Sequence, residues 1–496
     1  MPMDLRLSEE QQHAVDLSAA ADTTGIVARA GTGKTHTLRA IAHRTASERS
    51  LFVAFNRAIA QEARQKFPTN VDVKTLHALA FGHLRREHPN LPERVQVRIP
   101  HDAWVALAGL DEDDPDLAVH ITALRRLYTR FTQSADPQPD ASHLHVEEGD
   151  PLFRDLGADP QERCAWYALK VQQAWQHLTA DDTPYPIDHD GYLKWFALTS
   201  PRLAYDRLLV DEAQDLAPVM RDLVAQQSAA TTFVGDPAQQ IYAWRGAVNA
   251  MRSLRGRSAT LTASFRFGPA IAAASKRILN VLEPTAELTG RGESGHVMFN
   301  PAPTDQARTI VCRSNAGVLE AALAHAAASL HIVGGLSEAV QEAQYVAALR
   351  NNRPQPVRWK GPIPQRLAGL RTWSALEEAA DRNGGSLKRL KRLADRYGAQ
   401  LPSALRAITS SASDSESEAS VVITTAHKAK GREWDHVEAW DDFPDPPTDH
   451  KALLKRPNIE RDVAELNLLY VTLTRAQRTL YVGRLSGALQ SLLGAN

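Results

Sequence analysis

An α/β protein with two parallel sheets, each interrupted by a mainly helical insertion, is the fold this sequence predicts, and three observations predict it. Short apolar runs alternate with helical stretches from Gly25 to about Leu76, pause to about Pro201, and resume at Arg207. A second alternating unit begins near Phe265, with strands expected at Thr309–Cys312 and His331–Val333, and resumes at Val421–Thr424 after another interruption. At 496 residues and 43% hydrophobic content the chain can fill several cores, and length alone favours about three or four domain-sized units. The pauses set the boundaries. Residues 1–84 and 201–262 form the first sheet domain around an insertion at 85–200, and residues 263–335 and 421–496 form the second around a shorter insertion at 336–420. Ser410–Ser420, reading SSASDSESEAS, is expected to be a flexible exit from that second insertion.

The first strand, Gly25–Ala28, leads into Arg29-Ala30-Gly31-Thr32-Gly33-Lys34-Thr35 and a helix expected to run to about Arg44. This is the pattern of a phosphate-binding loop. Gly31 and Gly33 let the backbone wrap and aim its N–H groups at phosphates, and the helix N-terminus adds a favourable dipole. Lys34 would supply a point charge to the β and γ oxygens, and the Thr35 hydroxyl would be a magnesium ligand. Ala28 stands where the generic pattern has its first glycine, but the setting between strand and helix supports the match. Downstream, LLVDEAQD puts Asp211 and Glu212 at the C-terminal tip of a buried strand, where Asp211 would hold the ion and Glu212 would activate water. A strand at Thr231–Val234 ends at Gly235 and Asp236 and delivers Gln239 to the same edge. Tyr242 and Trp244 come next, within one short turn. Large rings that close to a phosphate sensor suggest that hydrolysis moves a surface on which bases stack, at about 1–3 kcal/mol per base. ATP and Mg2+ are the cofactors this arrangement predicts, and a nucleic-acid strand is the partner.

Taken in order, LSEEQQHAV (Leu7 to Val15), ARAGTGKT, AFNRAIA, TLHALA, VDEAQD, VGDPAQQIYAWRGA, SFRF, TIVCRSN, TTAHKAKGREW and LLYVTLTRA resemble the motif set of the UvrD/Rep/PcrA superfamily 1A helicases across nearly the whole chain. WDHVEAWDDF and AELNLLYVTLTRA are most similar to the F-box DNA helicase branch. Because the first motif begins at Leu7, no F-box is expected here. The resemblance implies two RecA-like motor domains with ATP in the cleft between them. It also implies that Gln11 reads the adenine edge, Phe265 stacks on the base, Glu433 contacts the ribose, Gln239 senses the γ-phosphate, and Arg266 and Arg475 reach that phosphate as in-chain arginine fingers. Phe55, Asn56, Thr75 and His77 match segments that grip single-stranded DNA from the first motor domain, and Thr425 and His427 match the grip of the second. Tyr242, Trp244 and Arg245 would form the stacking pocket between them. The activity that the resemblance implies is that of an ATP-driven single-stranded DNA translocase and helicase moving 3′ to 5′, in repair, recombination control or removal of proteins from DNA.

A net charge of −1 does not exclude nucleic acid, since a stepping motor needs a local basic track rather than a positive body. Arg252, Arg255 and Arg257 form one candidate cluster, and Lys388, Arg389, Lys391 and Arg392 on a helix form another, which is the candidate for contact with duplex at single/double-strand junctions. A solvated helix face explains the second cluster equally well. Two cysteines, Cys164 and Cys312, are too few for an iron–sulfur cluster, and His143 and His145 in SHLH read as a solvated loop. No run approaches a membrane span and no signal pattern opens the chain, so the expected location is cytoplasmic. The rival from another class is a nucleotide-responsive subunit of an anti-phage defence complex regulating a partner nuclease. Intact sensor, base and stacking residues favour the motor, with a nuclease or repair factor as a partner protein.

Overall fold

The computed structural model describes residues 6–144, 159–242, 251, 256–357, 364, 367 and 369–494. Contacts divide the chain into two compact units, one made of Met1–Ala28 with Gly33–Leu261 and the other of Arg29–Thr32 with Thr262–Asn496.

In the first unit six strands, β1 (Thr23–Ala28), β2 (Ser50–Val53), β3 (Val71–Lys74), β4 (Arg207–Val210), β5 (Ala230–Gly235) and β6 (Arg257–Leu261), lie in the order β3-β2-β4-β5-β1-β6. Every pairing is parallel. Such a sheet must be covered on both faces; its inner strands β2 and β4 are buried at every residue, whereas the edge strands β3 and β6 are buried only in part and carry polar residues. Alternate residues divide between the covers. Leu51, Val53, Leu208 and Val210 pack with Leu76, Leu84 and Phe196, whereas Phe52, Leu209 and Val234 pack with Val15, Leu38 and Ile41. Since β5 lies between β4 and β1, the phosphate loop after β1, the acidic pair after β4 and Asp236 after β5 all leave the sheet at one edge.

The first insertion has a core of its own. Helices His101–Ala108, Leu117–Gln133 and Pro160–Leu178 enclose Trp104, Leu124, Leu127, Tyr128, Tyr167 and Val171. Helix His189–Leu198 instead returns Tyr192, Leu193 and Phe196 to the core of the first sheet. His143 departs from the sequence reading. It is buried in a single turn, Ala141–His143, with its Nε2 3.1 Å from both Ser134 Oγ and Asp136 Oδ2. Those partners lie outside the local SHLH pattern, so the loop looked solvated. His145 lies outside the described residues, among which no group of three or more His, Cys, Asp or Glu is arranged to hold a metal ion.

In the second unit β7 (Ala263–Ser264) and β8 (Thr289–Gly290) form a small pair. The main sheet runs β11-β12-β10-β13-β14-β9, with β9 (His296–Met298), β10 (Arg308–Cys312), β11 (Leu330–Ile332), β12 (Val421–Thr425), β13 (Trp434–Ala439) and β14 (Ala476–Tyr481). All its pairings are parallel too. Here the inserted helices do not build a separate core. Val346 and Leu349 of Ser337–Asn351, Leu376 of Trp373–Asn383, Leu390 and Leu393 of Gly385–Tyr397, and Leu405 of Leu401–Ser411 share one cluster with Ile310, Cys312 and Ile423 of the sheet. Nor is Ser410–Ser420 a loose exit. Ser413 N donates to Leu330 O at 2.7 Å, the Ser413 carbonyl meets His331 Nδ1 at 2.9 Å, and Ser420 N donates to Ser329 O at 3.0 Å. Serine and acid composition suggested a linker, but backbone groups at a sheet edge need partners and this segment supplies them.

No helix among the described residues is long and apolar enough to cross a membrane.

Candidate functional site

The glycines of the loop are required by backbone geometry. Gly31 and Gly33 have φ of +75° and +81°, in the left-handed region that penalises any side chain. Crowding adds to this, because a Cβ on Gly33 would lie 2.8 Å from Gln11 Nε2, and one on Gly31 would lie 2.4 Å from Ser264 Oγ. Helix Lys34–Arg44 starts directly from Gly33 without a side-chain cap, so its first turn presents backbone N–H groups as an anion site does. Thr32 Oγ1 donates to Arg29 O at 2.8 Å and Tyr470 Oη accepts from Ala30 N at 3.2 Å, which steadies the loop. Thr35 lies in the first turn of that helix.

Lys34 Nζ is 2.8 Å from Glu212 Oε1. Burial alone would lower the Lys34 ammonium, but Glu212, Asp211 and Asp236 together outweigh it and hold the group above its ordinary value. Glu212 itself has φ of +51°, a conformation that costs a non-glycine residue about 1–3 kcal/mol and recurs where a side chain must be aimed. Asp211 is buried at the tip of β4, and its Oδ1 accepts the Glu212 N–H at 2.9 Å. One residue the sequence reading missed completes the group. Gln214, fully buried, donates to Glu212 Oε2 at 2.5 Å and accepts the Asp236 N–H at 3.1 Å, and Asp236 in turn accepts from Gln239 Nε2 at 2.8 Å. Gln11 is buried and closes a capping box with Ser8.

In the second unit Phe265 is 48% exposed, an unusual state for a phenylalanine beside a phosphate loop, and its N–H donates to Gly31 O at 2.8 Å. Arg266 pairs with Glu433 and donates to Thr474 O at 3.0 Å. Arg475 is 1% exposed and donates to Val471 O, Arg432 O and Thr474 Oγ1 at 2.8, 3.2 and 3.1 Å. Arg266, Glu433 and Arg475 are thus brought together around Thr474.

Three of the residues matched to DNA contacts share a structural position. Asn56 caps helix Arg57–Lys66, Thr75 caps helix Leu76–Glu87, and Thr425 caps the turn Ala426–Ala429 that contains His427. Each stands where a strand gives way to a helix N-terminus, a place that suits a phosphate. Phe55, 38% exposed, stacks on Tyr242 with centroids 5.8 Å apart and planes 20° apart. His77 Nε2 lies 3.4 Å from Asp190 Oδ1 and its ring meets Tyr192 edge-on at 6.1 Å. Thr425 borders a polar cavity of 260 Å3 lined also by Asn315, Val333, Gly334, Ser337 and Lys428. Trp244, Arg245, Arg252 and Arg255 lie outside the described residues.

An all-parallel sheet whose glycine loop stands beside an acidic strand tip, together with a second all-parallel sheet, defines a P-loop nucleotide-binding protein with two RecA-like units. Residues 11–245 match the family model for an AAA domain, and residues 366–486 match that for a UvrD-like helicase C-terminal domain. F-box DNA helicase 1 of Gallus gallus is 30% identical over 99% of this chain, and F-box DNA helicase protein 1 of Schizosaccharomyces pombe is 26% identical over 96% of it. The chain spans 50% and 57% of those two proteins, about half the length of the curated relatives it matches. Together these matches support a UvrD-like superfamily 1 helicase.

Proposed function

We propose that this chain is an ATP-driven DNA helicase that translocates 3′ to 5′ on single strands and serves repair, recombination control or the clearing of proteins from DNA. The observation that carries the reading is the continuous polar chain from Lys34 through Glu212, Gln214 and Asp236 to Gln239. Three residues beyond Gln239 stands Tyr242, stacked on the exposed Phe55. A change at the phosphate end therefore has a short covalent route to a surface that can hold a base.

The nucleotide fits the residues present. Lys34 and the N–H groups of Ala30–Thr35 suit the phosphates, Gln11 the adenine edge and Phe265 the base face. Thr35 and Asp211 are hard oxygen donors suited to Mg2+, which would neutralise charge on the phosphate oxygens. Glu212 holds the position of the base that takes a proton from the attacking water, and Gln214 keeps it aimed. Arg266 and Arg475 would add positive charge as the γ-phosphate leaves, with Glu433 released to the ribose. Phe55, Asn56, Thr75, His77, Tyr242, Thr425 and His427 would line the single-strand path, joined by Trp244 and Arg245.

ATPase rates with and without single-stranded DNA test this directly. Strong stimulation by the strand is expected. Glu212→Gln should retain nucleotide binding while turnover falls at least about 100-fold, because the amide keeps the shape but not the basicity. Lys34→Ala should lose productive ATP handling altogether. Near-normal turnover in Glu212→Gln would remove the residue as base, and an ATPase indifferent to DNA would favour the nucleotide-switch reading.

A further inference from the structure

Glu416 sits in the Ser/Asp/Glu segment that leaves the second insertion, and its carboxylate is shared between two residues of the GREW motif. Oε2 accepts from Arg432 Nη1 at 2.8 Å and Oε1 accepts from Trp434 Nε1 at 2.5 Å. Between those two residues stands Glu433, which pairs with Arg266. The backbone of the same tripeptide also holds Arg475, since Arg432 O accepts its Nη1 at 3.2 Å and Trp434 N donates to Arg475 O at 3.0 Å. One carboxylate thus pins both ends of a three-residue loop that orients three predicted nucleotide-contacting groups.

Glu416 is itself anchored. Ser413 and Ser420, on either side of it, are hydrogen-bonded to Leu330 and Ser329 at the edge strand of the second sheet. The side chains of Glu416 and Arg432 are 35% and 47% exposed, so their attraction is screened and contributes little to stability. The value of the contact lies in geometry. A shift of about 1 Å in catalytic groups can cost on the order of 100-fold in rate, far more than the loss of an exposed ion pair costs in folding.

We propose that Glu416 is a positioning residue through which the second insertion sets the Arg432–Trp434 loop, and with it Glu433, Arg266 and Arg475, for ATP turnover. This rests on the function proposed above, and the experiment separates the two. Single-strand-stimulated ATPase is measured on the full chain as wild type, Glu416→Ala and Glu416→Gln, with binding of a non-hydrolysable ATP analogue and thermal melting alongside. Glu416→Ala should lower kcat about five- to tenfold with KM for ATP and analogue affinity within about twofold, and melting should fall by less than about 3 °C. Glu416→Gln keeps an acceptor for Trp434 but loses the charge facing Arg432, so its kcat should lie between the two. An inactive wild type would overturn the proposed function and this inference with it. An active wild type matched by Glu416→Ala, or a loss confined to KM or accounted for by melting, would overturn the positioning role alone.

Discussion

The two insertions of this chain are both helical, yet they relate to their sheets in opposite ways. Helices His101–Ala108, Leu117–Gln133 and Pro160–Leu178 of the first close on themselves around Trp104, Leu124 and Tyr167. Those of the second turn Leu376, Leu390 and Leu405 into the cluster that holds Ile310 and Ile423 of the second sheet. A self-contained core can loosen or shift while the sheet beneath it stays folded, whereas a shared core makes insertion and sheet one cooperative body. Charge obeys the same division. Arg389 of the second insertion pairs with Glu320 and with Asp441, 3.0 Å away, which bolts the helix Gly385–Tyr397 to elements of the sheet domain. Of the four cations on the basic helix expected to touch duplex DNA, Arg389 and Arg392 face this attachment, whereas Lys391 pairs within the insertion and Lys388 is exposed.

The sharpest way to break the comparison is to cut each core at a fully buried leucine. Leu124→Ala and Leu390→Ala should each cost about 2–5 kcal/mol, but the damage should spread differently. In Leu124→Ala, faster hydrogen exchange should stay within the first insertion and spare β4 and β5. In Leu390→Ala it should extend into β10 and β12. Equal exchange in β10 and β12 of wild type and Leu390→Ala would show that the shared core is not cooperative.

The joint of the first insertion should respond to pH. Lys194, 1% exposed on the helix His189–Leu198, donates to Ser134 O and Asp136 O at 2.7 and 2.6 Å, at the end of helix Leu117–Gln133. Burial pushes its ammonium down from 10.5 to about 8, with Asp136 and Asp222 opposing. Below about 8 the lysine is protonated in both folded and unfolded chains, so the burial penalty is present in full. Between about 8 and 10.5 the unfolded chain keeps the proton and the folded chain releases it, so stability rises with pH, by at most about 1.4 kcal/mol per unit. Urea midpoints at pH 7 and 9.5 should show wild type gaining on Lys194→Met by about 1–2 kcal/mol. Parallel pH curves for the two proteins would rule the linkage out.

Much of the candidate site was legible because it is written locally. A strand, a glycine loop and a helix succeed one another from β1, and the acidic pair ends an apolar run at β4, so period and punctuation alone placed Lys34, Asp211 and Glu212. What escaped the sequence depends on distant partners. Gln214 looks like any polar residue after an acidic pair, and its role appears only when β5 brings Asp236 beside it. Glu416 is hidden in a serine-rich stretch because Arg432 and Trp434 lie well downstream. The shared core was invisible for a related reason. Amphipathic spacing shows that a helix buries one face but not against what.

The smallest effects should come from the basic helix, where the comparison can be sharpened residue by residue. Lys391 meets Glu377 and Asp395 at 3.3 and 3.2 Å, Arg392 is 3.7 Å from Glu320, and Lys388 is exposed. Arg389 is the most enclosed, with a side chain 15% exposed, and its removal would take from Asp441 the cation it pairs with and leave Glu320 with the more distant Arg392. Arg389→Ala should therefore cost about 1–2 kcal/mol, whereas Lys388→Glu should stay within about 0.5 kcal/mol of wild type. If the helix touched duplex instead, the order would reverse in function: Lys388→Glu would reduce strand displacement on 3′-tailed duplexes and weaken its salt dependence, since an exposed cation facing a phosphate contributes through counterion release. Unwinding within about twofold of wild type in Lys388→Glu, together with a lowered urea midpoint in Arg389→Ala, is the expected result. A salt-sensitive loss of unwinding in Lys388→Glu at unchanged stability would return the helix to the DNA and make the second insertion a contact surface as well as a part of the sheet's core.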